Sequence, residues 1–141
     1  RKNKLELFIH FVWTTWDREP WIVPGIERRL YREMETEVRN GGCAVLALDG
    51  WLDHTHLLVA LTVMKPVYEI VKQAKGVSSH FVNDVLKPTI HFKWQPNYGA
   101  FTVSPWEVDV VKAYIENQKR HHAEGTIIQA YEESFMEFTP E

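Results

Sequence analysis

The chain has 141 residues, 45% of them hydrophobic, and a formal net charge of −3 with seven histidines counted neutral. That is enough apolar material for one core without disulfides, and the acidic balance excludes the global basicity by which many nucleic-acid-binding chains are recognised. The single cysteine, Cys43, excludes an intrachain bridge, and no apolar run is long enough to span a membrane.

In chain order, residues 5–14 read as a strand, apolar on both faces, that leaves through Trp16-Asp17-Arg18-Glu19-Pro20. Pro24 and Gly25 precede a helix expected over residues 26–39, where Ile26, Leu30, Met34 and Val38 recur every four residues. Asn40-Gly41-Gly42 ends it. Residues 43–48 and 52–61 read as strands on either side of a turn at Asp49-Gly50. Pro66 opens a second helix to about residue 75, with Gly76, Ser78 and Ser79 expected to break or bend it before residues 81–86. Two extended segments, 91–94 and 99–103, flank the turn Gln95-Pro96-Asn97-Tyr98. The last helix begins at Ser104 as N-cap, with Pro105 in the first turn and Glu107 completing a capping box. A short acidic segment, residues 129–136, closes the chain. The order β-α-β-β-α-β-α suggests an α+β domain of ferredoxin-like type, a central antiparallel sheet with helices packed over it. One domain over residues 1–141 is expected, in a reducing, cytoplasmic setting, with Cys43 as a buried thiol. The chain starts at Arg1 without a methionine, so a few terminal residues are expected to be missing from it.

Two motifs carry chemistry. Within Trp51-Leu52-Asp53-His54-Thr55-His56-Leu57-Leu58-Val59-Ala60-Leu61, residues two apart on a strand share a face, so His54 and His56 can grip one metal ion. About 0.3 such pairs are expected by chance at this histidine content, and a buried histidine with a satisfied hydrogen bond is the commoner situation. In the last helix Val108, Val111 and Ile115 form the apolar stripe. Tyr114, Gln118 and His121 fall to one side of it, where a helix borders a cleft. Each motif is weak alone; both together, in this order, are informative.

These segments resemble the single-tyrosine HUH transposases of small insertion sequences, most nearly their relatives associated with repetitive extragenic palindromes. The likeness rests on Asp53-His54-Thr55-His56-Leu57-Leu58-Val59, on Tyr98-Gly99-Ala100-Phe101-Thr102-Val103-Ser104, and on Tyr114-Ile115-Glu116-Asn117-Gln118-Lys119-Arg120-His121-His122. The opening Phe11-Val12-Trp13-Thr14-Thr15-Trp16-Asp17-Arg18 also matches the family's first strand and its exit. Two departures stand out: Thr55 lies where the family has a bulky apolar residue, and the chain is acidic.

The resemblance implies an HUH endonuclease-type fold, Tyr114 as the catalytic nucleophile, and a divalent metal, Mg2+ or Mn2+, held by His54, His56 and Gln118. It implies cleavage and rejoining of single-stranded or hairpin DNA through a 5′-phosphotyrosine intermediate, in a homodimer. DNA contacts are expected from two basic patches, represented by Lys72, Lys75 and His80 and by Lys119, Arg120 and His121. Solvated helix faces are the plain alternative for these charges. Trp94 and Tyr98 either stack on unpaired bases or fill the core. Two other functions stay open: a domesticated, non-catalytic binder of single-stranded or hairpin DNA with the same fold, and an unrelated hydrolase that uses the histidine pair without the tyrosine.

Overall fold

The computed structural model describes residues 4–62 and 64–134. Residues 135 and 136, the end of the acidic C-terminal segment expected from the sequence, lie outside the described residues. The strands are β1 (Phe8–Thr14), β2 (Cys43–Trp51), β3 (His54–Leu61) and β4 (Gly99–Val103). The helices are α1 (Pro24–Asn40), α2 (Val67–Phe81), α3 (Val108–Glu116), α4 (Gln118–Glu124) and α5 (Gln129–Glu132). The strands form one sheet in the order β2-β3-β1-β4 with every neighbouring pair antiparallel. This is the ferredoxin-like α+β arrangement expected from the element order.

Side-chain alternation divides the sheet into two chemically different faces. Ile9, Phe11 and Trp13 of β1 join Leu57, Val59 and Leu61 of β3 in an apolar layer. Onto it pack Leu30, Met34 and Val38 of α1 with Ile70, Val71 and Ala74 of α2. The four-residue spacing in α1 therefore marks the stripe that is buried. The intervening residues of the same strands, among them His10, His54, His56 and Leu58, face the other side. There a smaller cluster of Ala47, Leu58 and Val103 meets Val111 and Ile115 of α3.

Several boundaries differ from the sequence reading. β2 runs through Asp49 and Gly50, and the hairpin turns at Leu52 and Asp53. Gly50 is required for close approach rather than for a turn, since a Cβ there would clash with the His54 carbonyl and the Tyr31 hydroxyl. α2 does not break at Gly76, because the hydroxyls of Ser78 and Ser79 donate back to carbonyls of the preceding turn, including Ser78 Oγ to the Ala74 oxygen at 2.6 Å. It loosens only afterwards, into a π turn over Val82–Leu86 that ends at left-handed Lys87. Segment 91–94 forms no strand beyond a single bridge between Thr15 and Trp94. α3 starts at Val108, with Ser104-Pro105-Trp106-Glu107 as a preceding turn in which Ser104 Oγ donates to Glu107 Oε1 at 2.7 Å. The capping-box pair is present, but the residues touch each other instead of capping the helix.

Candidate metal and tyrosine site

Alternation along β3 puts His54 and His56 on the face opposite the main core, as the His-x-His spacing predicts. Both are buried, with ring centroids 5.0 Å apart and planes at 77°. Each imidazole has a different partner behind it. His54 Nδ1 lies 2.7 Å from Asp53 Oδ1, and Arg18 meets the other Asp53 oxygen at 3.4 Å. Arg18 reaches it from a turn in which both Asp17 and Arg18 take left-handed φ near 50°. His56 Nδ1 lies 2.9 Å from Nε2 of His10, on the neighbouring strand β1.

The tyrosine helix closes over this pair. α3 and α4 are separated only at Asn117, whose φ of −107° and ψ of 23° interrupt the helix without turning it away. Tyr114, Gln118 and His122 consequently stay on one side. Gln118 is fully buried, and its Oε1, which can only accept, receives His54 Nε2 at 3.2 Å and His122 Nε2 at 3.1 Å. Tyr114 is 4% exposed, edge-on to His56 at 6.1 Å and stacked on His121 at 4.5 Å. Its hydroxyl accepts the Ile128 backbone N–H at 2.9 Å. Burial raises the phenol pKa, and that backbone donor only partly offsets it.

Glu132 comes into the site from α5, on a segment that packs back over β4. The approach is close enough that any side chain at Gly99 would strike the Glu133 carbonyl. The Glu132 carboxylate lies 2.5 Å from His56 Nε2, 3.6 Å from His54 Nε2 and 2.6 Å from His122 Nε2. Ligand atoms of His54, His56 and Glu132 lie within 4.8 Å of one another, the spacing of donors around a single ion. Yet His56 Nε2, Gln118 Nε2 and both Glu132 oxygens make no hydrogen bond. The short carboxylate contacts therefore lack hydrogen-bonding alignment. Buried polar atoms left unpaired are costly, and a cation is the partner that a carboxylate and two imidazoles have in common. The residues fit a divalent metal.

The charge pattern agrees. Burial pulls the His54 pKa down, but the hydrogen bond to Asp53 and the negative charge of Asp53 and Glu132 outweigh it and raise it to about 9. The two carboxylates beside His54 favour positive charge at this point. Burial drives His56 the other way. Burial and the charge of His56 push His10 down to about 3. Burial would raise the Glu132 carboxyl, but His54 and His56 hold it well below the ordinary carboxylate range.

The six residues expected to touch DNA are not equivalent. Lys72 and Arg120 are exposed, and neither forms an ion pair among the described residues. Lys75 Nζ donates to the carbonyls of Gln95 and Asn97, at 2.6 and 3.2 Å. His80 pairs with Asp84 at 2.6 Å on the surface. Lys119 bridges Glu27 and Asp49, both at 2.8 Å, tying α4 to α1 and β2. His121 lies against Tyr114 and meets the Thr126 hydroxyl at 3.0 Å. Trp94 and Tyr98 both pack against the main core, with Trp94 Nε1 donating to Ser78 Oγ at 3.0 Å. Cys43 is buried.

Three participants escape the sequence reading. His10 had a usable signal, its even position on an alternating strand, but nothing local identifies the strand beside it. Glu132 falls, by sequence, within the short acidic segment at the end of the chain. His122, four residues beyond Gln118, has no sequence signal of its own beyond its place next to His121. It stacks on Trp51 at 5.4 Å and orients Gln118.

The chain is similar to known transposases. The ISDra2 transposase TnpA of Deinococcus radiodurans is 27% identical over 119 residues, covering 80% of this chain and 84% of that protein. A crystal structure from Deinococcus radiodurans, described as a transposase, superposes with a TM-score of 0.67 at 28% identity, covering 84% of this chain and 95% of the other. A tyrosine transposase associated with REP sequences, solved bound to a REP hairpin, gives a TM-score of 0.65 over 90% of this chain and 73% of its own. At 13% identity that likeness speaks for the fold alone. The family described as IS200-like transposases matches residues 3–118, and on that match the chain belongs to the single-tyrosine HUH transposases, proteins of DNA transposition.

Proposed function

We propose that the protein cleaves and rejoins single-stranded or hairpin DNA, with Tyr114 as nucleophile and a divalent metal, Mg2+ or Mn2+, held by His54, His56, Gln118 and Glu132. The observation that carries this reading is the convergence of Tyr114 and Gln118 on the histidine pair within one chain. In the reaction the Tyr114 oxygen bonds to phosphorus, the bond from phosphorus to the 3′ oxygen breaks, and the proton given up by the phenol is balanced by one taken up at the departing 3′ oxygen. A 5′-phosphotyrosine and a free 3′-hydroxyl result. The same hydroxyl, or one from another strand, reverses the step. When bound, the metal supplies Lewis-acid polarisation of the scissile phosphate.

The protein's own groups provide positioning. His56 and His121 hold the Tyr114 ring between an edge contact and a stack, which limits its rotation. Asp53 fixes the orientation of His54, and Arg18 in turn restrains Asp53. Lys72 and Arg120, being exposed, are the cations available to DNA phosphates. The other four DNA contacts inferred from sequence need rearranged partners to serve in that role. A two-fold homodimer belongs to the proposal through the family resemblance, although the tyrosine and the histidine pair come from the same chain.

Labelled hairpin DNA incubated with protein and Mn2+ should yield a covalent adduct on a denaturing gel, absent with Tyr114→Phe. Cleavage without an adduct would mean a water nucleophile and would defeat the tyrosine mechanism. DNA retention without cleavage at any metal concentration would favour the domesticated binding protein. Light scattering at high concentration tests the dimer, and a strict monomer would remove it.

A further inference from the structure

We propose that His10 is a positioning residue for the metal site, holding His56 in the tautomer whose Nε2 lone pair faces the cation; this rests on the metal-site reading above. His10 is buried at 1% exposure on β1, and Val12, two residues on along that strand, pairs with His56. Its Nε2 lies 2.9 Å from His56 Nδ1, with ring centroids 5.1 Å apart and planes at 27°. Phe101 and Tyr131 flank the His10 ring, each at 5.9 Å, and limit its movement. The other nitrogen of His56, Nε2, faces Glu132 and has no hydrogen bond of its own.

An imidazole that gives one nitrogen to a cation must carry its proton on the other, and in a dry site that proton needs an acceptor. For His56 the atom in that place is Nε2 of His10. The two ligand histidines thus differ in what stands behind them. His54 is backed by a carboxylate, which only accepts, whereas His56 is backed by a ring that can accept or donate.

This lets the pair serve both states of the site. Without a cation, His10 Nε2–H donates to His56 Nδ1, and His56 keeps its proton on Nε2, toward Glu132. With a cation, His56 gives up the Nε2 proton and takes the proton of His10 Nε2 on its own Nδ1. The proton leaving His56 Nε2 goes to solvent, and His10 takes one up from solvent at Nδ1. The total is unchanged, both rings remain uncharged, and the hydrogen bond persists with its direction reversed.

The experiment compares wild type, His10→Phe and His10→Gln. Phenylalanine keeps a flat ring without a polar atom, and glutamine keeps both an acceptor and a donor. Mn2+ affinity without DNA is measured by electron paramagnetic resonance titration, and folding by thermal melting. His10→Phe should weaken Mn2+ binding by about 10- to 100-fold, whereas His10→Gln should stay within about threefold of wild type. Nitrogen-15 spectra of wild type loaded with Zn2+ should show the His56 proton on Nδ1. Equal Mn2+ affinity in all three proteins, equal loss in both variants, or a proton on Nε2 of loaded His56 would overturn the proposal. If His10→Phe does not fold, His10→Gln and the wild-type spectrum still decide it. A wild type that binds no Mn2+ would overturn the metal-site reading itself, a result distinct from a loss confined to the variants.

Discussion

The two faces of the sheet share strands and backbone but answer to different physics. On the α1–α2 face, Phe11, Trp13, Leu57 and Leu30 are fully buried in a mainly apolar layer, where shape dominates and polar pairings such as Trp94 Nε1 with Ser78 Oγ are few. On the α3–α4 face, the same strands bury His10, His54 and His56, whose ring nitrogens must each find a partner. One face provides stability from contact area. The other places polar atoms in a dry setting, where their pairing determines the chemistry and some are left unpaired. A site of this kind is affordable because the opposite face holds the strands rigid.

Substitutions that affect one face and spare the other sharpen this contrast. The largest effect is expected from Tyr114→Phe, which should reduce DNA cleavage by at least about a thousandfold. Its stability should fall by only about 1 kcal/mol, since the Ile128 N–H loses its acceptor. Denaturant unfolding alongside a cleavage assay separates the two, and a large stability loss would give Tyr114 a mainly structural role. Leu30→Ala should do the converse, costing about 2–5 kcal/mol of stability in urea unfolding while the folded fraction keeps its Mn2+ affinity. A changed affinity would mean that the faces are coupled. Among the proposed ligands, His54→Ala should abolish Mn2+ binding in calorimetric titration. Gln118→Ala and Glu132→Gln should weaken it by about tenfold or more, with partial recovery of cleavage at high Mn2+. Unaltered binding after any of these three changes would remove that residue from the ligand set. The smallest effect belongs to Lys119→Met, which breaks half-exposed pairs with Glu27 and Asp49 and should cost at most about 1 kcal/mol by thermal melting. A marked fall in DNA affinity from the same variant would instead support the DNA contact inferred from sequence.

The histidine pair was legible because alternation is a property of one strand, so His54 and His56 share a face whatever lies nearby. Tyr114 and Gln118 were legible for the same local reason, one helical turn apart, and the interruption at Asn117 does not separate them. The α1 core stripe and the element order were likewise readable from spacing. Boundaries were not, where a longer-range contact competed with a local signal. Gly50 looks like a turn residue until the close approach of β3 is seen, and the serines of α2 look like breakers until their hydroxyls find carbonyls in the preceding turn.

What the sequence by itself determined is therefore which residues share a face: the apolar stripe of α1, the His54–His56 pair, and Tyr114 with Gln118. Only the tertiary structure decided what those faces meet. His10 stands behind His56 because β1 pairs with β3 in one register, and a shift of one residue would turn its ring to the opposite layer. Glu132 reaches the imidazoles because the chain returns over β4 after α4, and Lys119 is tied down at the surface because Glu27 and Asp49 converge on it from separate elements. Periodicity is set by backbone geometry within a few residues, whereas register and chain return depend on contacts between residues far apart in sequence.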